Sequence, residues 1–304
     1  MRILGHIHTF NDEAVIDRSL NALLDQTYPL DEVIIIDNGS TDNTLNRPFP
    51  EQVKVIRHSE QRGTSGAVIT GMQYALEKGY DWIWVIDADS APRRDALQKL
   101  LELYQSFSAD LQAKTWLLAS LPIENTNQKV CHGVIFTPRG CRQVRPDPNK
   151  LFYECDFTIW SGSLFKLEAV KKVGLPEADY VVDWGEFIYG YLGKQAGYRA
   201  FTHQQSILDH NMEVLHLTSY RFGPFSFGMR ELAPFRCYYI VRNYLYFWLY
   251  GYEVRNFYTL SFCLLRIIKF IGCFLLRPST HLPQLSACLR GVWDGVCKNM
   301  RHRY

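Results

Sequence analysis

Residues 80–92 read Tyr80-Asp81-Trp82-Ile83-Trp84-Val85-Ile86-Asp87-Ala88-Asp89-Ser90-Ala91-Pro92. Trp82 to Ile86 is a short, unbroken run of strand-forming residues, the pattern of a strand buried on both faces. Pro92 has no N–H to give and is expected to stop it. A buried strand then delivers Asp87 and Asp89 to the edge of a sheet. Alternation sets both side chains on one side of the chain, with Ala88 on the other. Carboxylates held that close repel each other unless a cation lies between them. A divalent ion with oxygen ligands meets that need. Taken alone, the two residues also fit a helix-capping Asp87 beside a solvated Asp89.

The segments before this strand favour the first reading. Ile3 to His8 is expected as a strand that leaves through Thr9-Phe10-Asn11-Asp12. Ala14, Ile16, Leu20, Leu23 and Leu24 recur at helical spacing as far as about Gln26. Glu32 to Ile36 is a second apolar strand, ending in Asp37-Asn38-Gly39-Ser40-Thr41-Asp42-Asn43-Thr44, a stretch of turn and cap residues. Val53 to Ile56 is a third. Arg62-Gly63-Thr64-Ser65-Gly66-Ala67 opens a helix that Gly79 stops. This alternation predicts an α/β fold, a mostly parallel mixed sheet flanked by helices, with ligands gathered at the carboxyl ends of the strands. Three such ends carry polar loops, at Thr9–Asp12, Asp37–Asp42 and Asp87–Asp89.

Thr9-Phe10-Asn11, then Ile34-Ile35-Ile36-Asp37-Asn38-Gly39-Ser40-Thr41-Asp42, then Arg62-Gly63-Thr64-Ser65-Gly66-Ala67, then Val85-Ile86-Asp87-Ala88-Asp89 resemble, in order and spacing, a family 2 glycosyltransferase of the A-type, Rossmann-like fold. The resemblance implies a nucleotide-sugar donor in the first half of the chain. Thr9, Asn11 and Asp37 would border its base and ribose, with Asp37 accepting a hydrogen bond from the base. Arg62 would approach the base or the phosphates. Asp87 and Asp89 would hold Mn²⁺ or Mg²⁺ on the diphosphate.

Further along, Thr158 to Lys166 resembles the family's acceptor-side strand, and Asp183-Trp184-Gly185-Glu186 its Asp-x-x-Glu element at a helix start. Inverting transfer needs a base for the acceptor hydroxyl. Asp183 is the first choice and Glu186 the alternative, either orienting the acceptor or acting as the base. A capping Asp183 with Glu186 completing the box fits the same spacing. Trp184 offers a flat wall for a sugar ring. The Arg that usually follows in the family is replaced by Ile188-Tyr189-Gly190-Tyr191. Gly197-Tyr198-Arg199 resembles the turn into a last strand, Ser206 to His210, where His210 would ligate the ion or contact the diphosphate.

Charge divides the chain into expected domains at 1–215 and 216–304. The overall balance is +2, yet residues 216–304 carry 12 Lys and Arg against 3 Asp and Glu, leaving 21 against 28 in the rest. An acidic catalytic body with a basic, aromatic helical extension is the reading. Arg236-Cys237-Tyr238-Tyr239-Ile240-Val241-Arg242-Asn243-Tyr244 resembles a helix that follows the catalytic domain in rhamnosyl- and galactofuranosyltransferase-like bacterial members. Residues 256–276 are apolar but interrupted by Arg266 and Lys269, too costly for a membrane span. Arg255, Arg266 and Arg277 fall eleven apart, along one helix face. That pattern suits a helix lying in an anionic membrane interface; packing on the catalytic body or on a second subunit, as in a homo-oligomer, is the other reading. Nucleic acid is not expected, because the cations are diluted among large apolar residues. Eight cysteines without metal-ligand spacing, and no leader-like start, suggest a cytoplasmic protein at the inner face of the membrane.

The function expected is metal-dependent, inverting transfer of a sugar, rhamnose as first choice, from a UDP- or dTDP-sugar to a glycan or polyprenyl-linked acceptor in cell-surface polysaccharide synthesis. A nucleotidyltransferase and a non-catalytic sugar-nucleotide binder are the rivals. The first would want a Gly-rich basic loop after the first strand, and the second has no use for Asp87, Asp89 and Asp183.

Overall fold

The computed structural model describes the chain except for residues 125–129, 131, 145, 211–216, 223–224, 231, 254–256, 276–277 and 301–304, with side chains also undescribed at 217–222, 225–230, 262, 273 and 278–281. In chain order the elements are β1 (Ile3–Thr9), α1 (Ile16–Leu24), β2 (Glu32–Asp37), β3 (Val53–Arg57), α2 (Gly63–Glu77), β4 (Trp82–Asp87), β5 (Ser90–Pro92), α3 (Ala96–Ser106), α4 (Ala109–Lys114) and β6 (Thr115–Glu124). There follow β7 (Val134–Thr137), β8 (Gly140–Gln143), β9 (Phe152–Cys155), β10 (Ser163–Lys166), α5 (Leu167–Val173), α6 (Gly185–Gln195), β11 (Arg199–His210), β12 (Leu217–Phe222) and β13 (Phe225–Arg230). The chain closes with α7 (Pro234–Tyr246), a π-helical turn (Phe247–Gly251), α8 (Phe257–Leu275) and α9 (Pro278–Val296).

Two compact units share these elements. The first comprises residues 1–135, 143–178 and 186–212; the second comprises 136–142, 179–185 and 213–304. The segments 136–142 and 179–185, which the charge division placed in the first domain, therefore cluster with the C-terminal helices.

The first unit is built on one mixed sheet with strand order β3-β2-β1-β4-β10-β6-β11-β5, β9 pairing with β11. β3, β2, β1 and β4 run parallel. β10 lies antiparallel between β4 and β6, and β11 runs parallel to β6. Apolar residues line both faces of the parallel strands because helices cover both. On one face Ile34, Ile36, Ile83 and Val85 pack with Ala67, Val68 and Met72 of α2. On the other, Ile3, Ile7, Val33, Ile35, Trp82 and Trp84 pack with Ile16, Leu20 and Leu23 of α1 and Leu97 and Leu100 of α3. Trp84 is wholly buried and donates its indole N–H to the Gly162 carbonyl at 3.3 Å. Burial of a large apolar side chain stabilises by about 1.5–3 kcal/mol.

The strand that opens the site is shorter than its sequence suggests. β4 ends at Asp87, and residues 88–89 turn. Ser90–Pro92 then forms a separate edge strand against β11. Pro92 does not cut off β4; it closes this edge strand, a place where a missing N–H is tolerated.

In the second unit, α7 packs on α9. Tyr238 donates from its hydroxyl to the buried Asp294 carboxylate at 2.8 Å. Arg242 and Asn243 are fully buried on α7. α8 buries Thr259, Cys263, Ile267 and Phe274 on one face and exposes Phe257, Leu260, Leu264, Leu265, Ile268 and Leu275 elsewhere.

Candidate active site

The carboxyl ends of β1, β2 and β4 carry the polar loops of the first unit. Strand register places His8 directly opposite Asp87, and the His8 Nε2 stands 3.0 Å from Asp87 Oδ1. The short strand β5 brings Ser90 opposite His210 in β11. Ser90 Oγ lies 2.5 Å from His210 Nδ1, and the same nitrogen is 3.6 Å from Asp89 Oδ1. Tertiary pairing, not sequence distance, therefore unites Asp87, Asp89 and His210. One ligand atom from each lies within 4.8 Å of the other two.

Electrostatics separate the two carboxylates. Burial, then the charge of Asp87, pushes Asp89 up to about 6. Burial acts the same way on Asp87 and is the largest single influence, but the charge and hydrogen bond of His8 with the charges of His210 and His6 together outweigh it and hold Asp87 below the usual carboxylate range. Burial disfavours protonation of His8 in turn, and the charge and hydrogen bond of Asp87 with the charges of Asp89 and Asp12 together override it and raise His8. His8 was not singled out from the sequence. Its only signal was the register that puts the penultimate residue of β1 beside the last residue of β4.

The residues suit a hard divalent ion. Two carboxylate oxygens and an imidazole nitrogen form a donor set of the right type for Mn²⁺ or Mg²⁺. Asp87 Oδ1 is buried and already faces His8 Nε2 at 3.0 Å, so the fit to an ion rests on the donor set that Asp87, Asp89 and His210 make together.

The loops after β1 and β2 are cross-tied. Thr9 donates to Asp12 Oδ2 at 2.8 Å. Asn11 adopts φ 58°, a left-handed conformation that Asn tolerates. Its side-chain oxygen accepts from the Thr41 N–H at 2.8 Å and the Asp42 N–H at 3.3 Å. Asp37 is fully buried. It accepts from the Ser40 N–H and hydroxyl and pairs with Arg57 Nε at 3.2 Å. Asp37 thus organises its own loop, and direct contact with a base would require one of these bonds to exchange. Arg57, opposite Asp37 in register, is a cation at this edge that the motifs did not flag. Arg62 is exposed at the start of α2, and its backbone N–H meets Asn38 Oδ1 at 3.4 Å.

The Asp-x-x-Glu element does not begin on a helix. α6 starts at Gly185, and Asp183 and Trp184 precede it at φ 56° and 73°. Asp183 therefore lies outside the helix that carries Glu186. Left-handed backbone at a non-glycine residue costs about 1–3 kcal/mol. Arg236 holds the Asp183 carboxylate through Nε at 3.2 Å and Nη2 at 2.8 Å. The Trp184 ring lies 4.7 Å from that of Tyr244. Glu186 falls in the first turn of α6.

Residues 6–174 match the profile of Glycosyl transferase family 2. An undecaprenyl-phosphate mannosyltransferase of Micrococcus luteus is 32% identical over 116 residues, covering 36% of this chain and 46% of that protein. The chain thus covers less than half of that relative. Among solved structures, S. aureus TarS 1–349 in complex with UDP-GlcNAc gives a TM-score of 0.62 at 15% identity, covering 99% of this chain and 83% of that one. The mannosyltransferase PcManGT of Pyrobaculum calidifontis, in complex with GDP-Man and Mn²⁺, gives 0.55 at 15% identity, with 98% and 87% covered. The sheet order, the flanking helices and these neighbours agree on the A-type glycosyltransferase fold. With more than half of its length matched by the family profile, the chain belongs to glycosyl transferase family 2.

Proposed function

We propose that the protein transfers a sugar, with inversion, from a nucleoside diphosphate donor to a hydroxyl of a glycan or lipid-linked acceptor. The observation that carries this reading is the Asp87–Asp89–His210 cluster at the carboxyl edge of the sheet, one ligand atom from each residue lying within 4.8 Å of the others. Asp87, Asp89 and His210 would hold Mn²⁺ or Mg²⁺. The ion, when bound, offsets the charge that develops on the departing diphosphate.

The chain's own residues then do the following. Thr9, Asn11 and Asp37 shape the loops that border the nucleoside, and Arg62 stands exposed to meet the base or the phosphates. Asp183 takes the proton of the acceptor hydroxyl as its oxygen attacks C1, while the bond from C1 to the diphosphate oxygen breaks. Glu186 is the alternative base. Trp184 supplies the apolar wall for a sugar ring. UDP or dTDP is the proposed donor nucleotide and rhamnose the first sugar to try. A polyprenyl-linked acceptor is supported by the undecaprenyl-phosphate named for the Micrococcus luteus relative.

We also propose that the second unit meets an anionic membrane surface. Among the described residues no helix is long and apolar enough to cross a membrane. α8 instead exposes Leu264, Leu265 and Ile268 beside exposed Arg266 and Lys269. α9 exposes Leu282, Leu289 and Trp293 beside exposed Arg290. Apolar side chains flanked by cations are the signature of interfacial helices. Arg255 and Arg277, two of the evenly spaced cations, lie outside the described residues.

Titration calorimetry of UDP and dTDP, with and without Mn²⁺, on the wild type and Asp89→Ala tests the donor site. Binding should need the ion in the wild type and be weak in the variant under both conditions. Equal affinity with and without the ion in both proteins, for both nucleotides, would remove the basis of the reading.

A further inference from the structure

Asp183 and Trp184 are two of the four non-glycine residues with positive φ among the described residues. Consecutive left-handed residues, one of them a tryptophan, persist only where neighbours over-determine them. Three such neighbours lie on a single helix, α7. Asn243 of α7 donates its side-chain amide to the Val182 and Asp183 carbonyls, both at 3.1 Å. Arg236, two helical turns earlier on the same face, grips the Asp183 carboxylate with two nitrogens. Tyr244 flanks the Trp184 ring.

A fully buried arginine fixes which way the Asn243 amide points. Arg242 donates through Nε at 2.9 Å and Nη2 at 2.7 Å to Asn243 Oδ1, and through Nη2 at 2.5 Å to the Asp179 carbonyl. With Oδ1 committed to the guanidinium, only the NH₂ side of Asn243 is left to face the two carbonyls. The amide therefore cannot flip without losing its bonds to the guanidinium and to the two carbonyls.

We propose that Arg236 and Asn243 are positioning residues of the acceptor side: from one face of α7 they hold Val182–Trp184 in a left-handed turn that offers the Asp183 carboxylate and the Trp184 ring to a sugar acceptor. This rests on the reading of Asp183 and Trp184 as acceptor-side groups. Neither Arg236 nor Asn243 touches the substrate in this role. Arg236 keeps the carboxylate aimed, and Asn243 keeps the backbone beneath it in a conformation it would otherwise leave.

Asn243→Asp is the discriminating variant. It keeps the volume and gives buried Arg242 a carboxylate partner, so α7 stays packed. It withdraws both N–H donors, however, and sets a carboxylate oxygen against two carbonyl oxygens. Arg236→Lys keeps the charge but not the two-pronged grip, and Arg236→Met keeps neither. The first readout is spectroscopic: the near-ultraviolet circular dichroism of Trp184, isolated as the difference between wild type and Trp184→Phe. That band should collapse in Asn243→Asp, with the far-ultraviolet spectrum and the binding of UDP with Mn²⁺ unchanged. The second readout is transfer from dTDP-rhamnose and UDP-galactose to octyl glucoside and octyl galactoside. The acceptor kcat/KM should fall about 10- to 100-fold in Asn243→Asp and Arg236→Met, partly recover in Arg236→Lys, and leave the donor KM where it was. Survival of the Trp184 band together with wild-type kinetics in Asn243→Asp overturns the proposal. So does a parallel loss of UDP binding, which marks general damage. A wild type inactive on every pair counts against the glycosyl-transfer reading, and the Trp184 band alone then decides whether the positioning claim stands.

Discussion

Replacing Asp89 by Asn should make the metal-free protein more stable and the metal-loaded protein less so. Two carboxylate oxygens within 4.8 Å repel by roughly 3.5 kcal/mol at an effective dielectric constant of 20. Lifting Asp89 from its ordinary 3.8 to about 6 corresponds to about 3 kcal/mol. The side chain is about one-third exposed, and solvent screening reduces either figure to about 1–2 kcal/mol. The Asn side-chain oxygen still accepts from Ser90, which donates to Asp89 Oδ1 at 3.1 Å, so little is lost with the charge. The folded value lies above the unfolded one, so Asp89 does not destabilise the fold below about pH 4. The penalty grows between about pH 4 and 6 and is complete above 6. Urea unfolding at pH 7.5 in EDTA, followed by tryptophan fluorescence, should then show Asp89→Asn more stable by about 1–2 kcal/mol with an unchanged slope. The gap should close near pH 4. Mn²⁺ at a hundred times its dissociation constant adds about 2.7 kcal/mol to the wild type alone and reverses the order. An Asp89→Asn protein that is less stable in EDTA at pH 7.5 would refute the claim that these carboxylates are held together against their repulsion.

Other expectations can be tested with single variants. Asp183→Asn should slow transfer by about two to four orders of magnitude while UDP binding holds, whereas Glu186→Gln should act on acceptor binding; the reverse pattern in steady-state kinetics would make Glu186 the base. Gly193→Ala should destabilise the first unit by about 1–3 kcal/mol in denaturant unfolding, because its Cβ would sit 2.1 Å from Cζ2 of Trp116, a buried ring with nowhere to move; a neutral result would mean that α6 can shift outward. Reversing Arg266 and Lys269 to Glu should weaken flotation with phosphatidylserine vesicles by about fivefold or more per residue reversed, and the intact protein should bind less in high salt. Indifference of the intact protein to such vesicles at low salt would end the interfacial reading.

Much of the first unit could be read along the chain because its signals are local. Apolar runs such as Glu32–Ile36 and Trp82–Ile86 have one favourable outcome, a strand covered on both faces, and the polar loops that follow them must lie at its carboxyl edge. Four motifs in order were enough to imply the family, and Asp87, Asp89 and His210 could be named as a set. Pairing geometry decided the rest. The turn at 88–89 and the edge strand Ser90–Pro92, not alternation along one strand, bring Asp89 to Asp87 and His210. Register alone put His8 against Asp87, 79 positions away, and Arg57 against Asp37. The turn at Asp183 and Trp184 was read from the sequence as a helix start, since nothing local to Val182–Gly185 demands left-handed backbone. Its cause lies some 60 residues downstream, where Asn243 answers two carbonyls and Arg236 one carboxylate. Local propensity and periodicity settle where a chain is helical or extended. Which distant side chains satisfy a buried polar group is set by through-space contacts, which only the tertiary structure supplies.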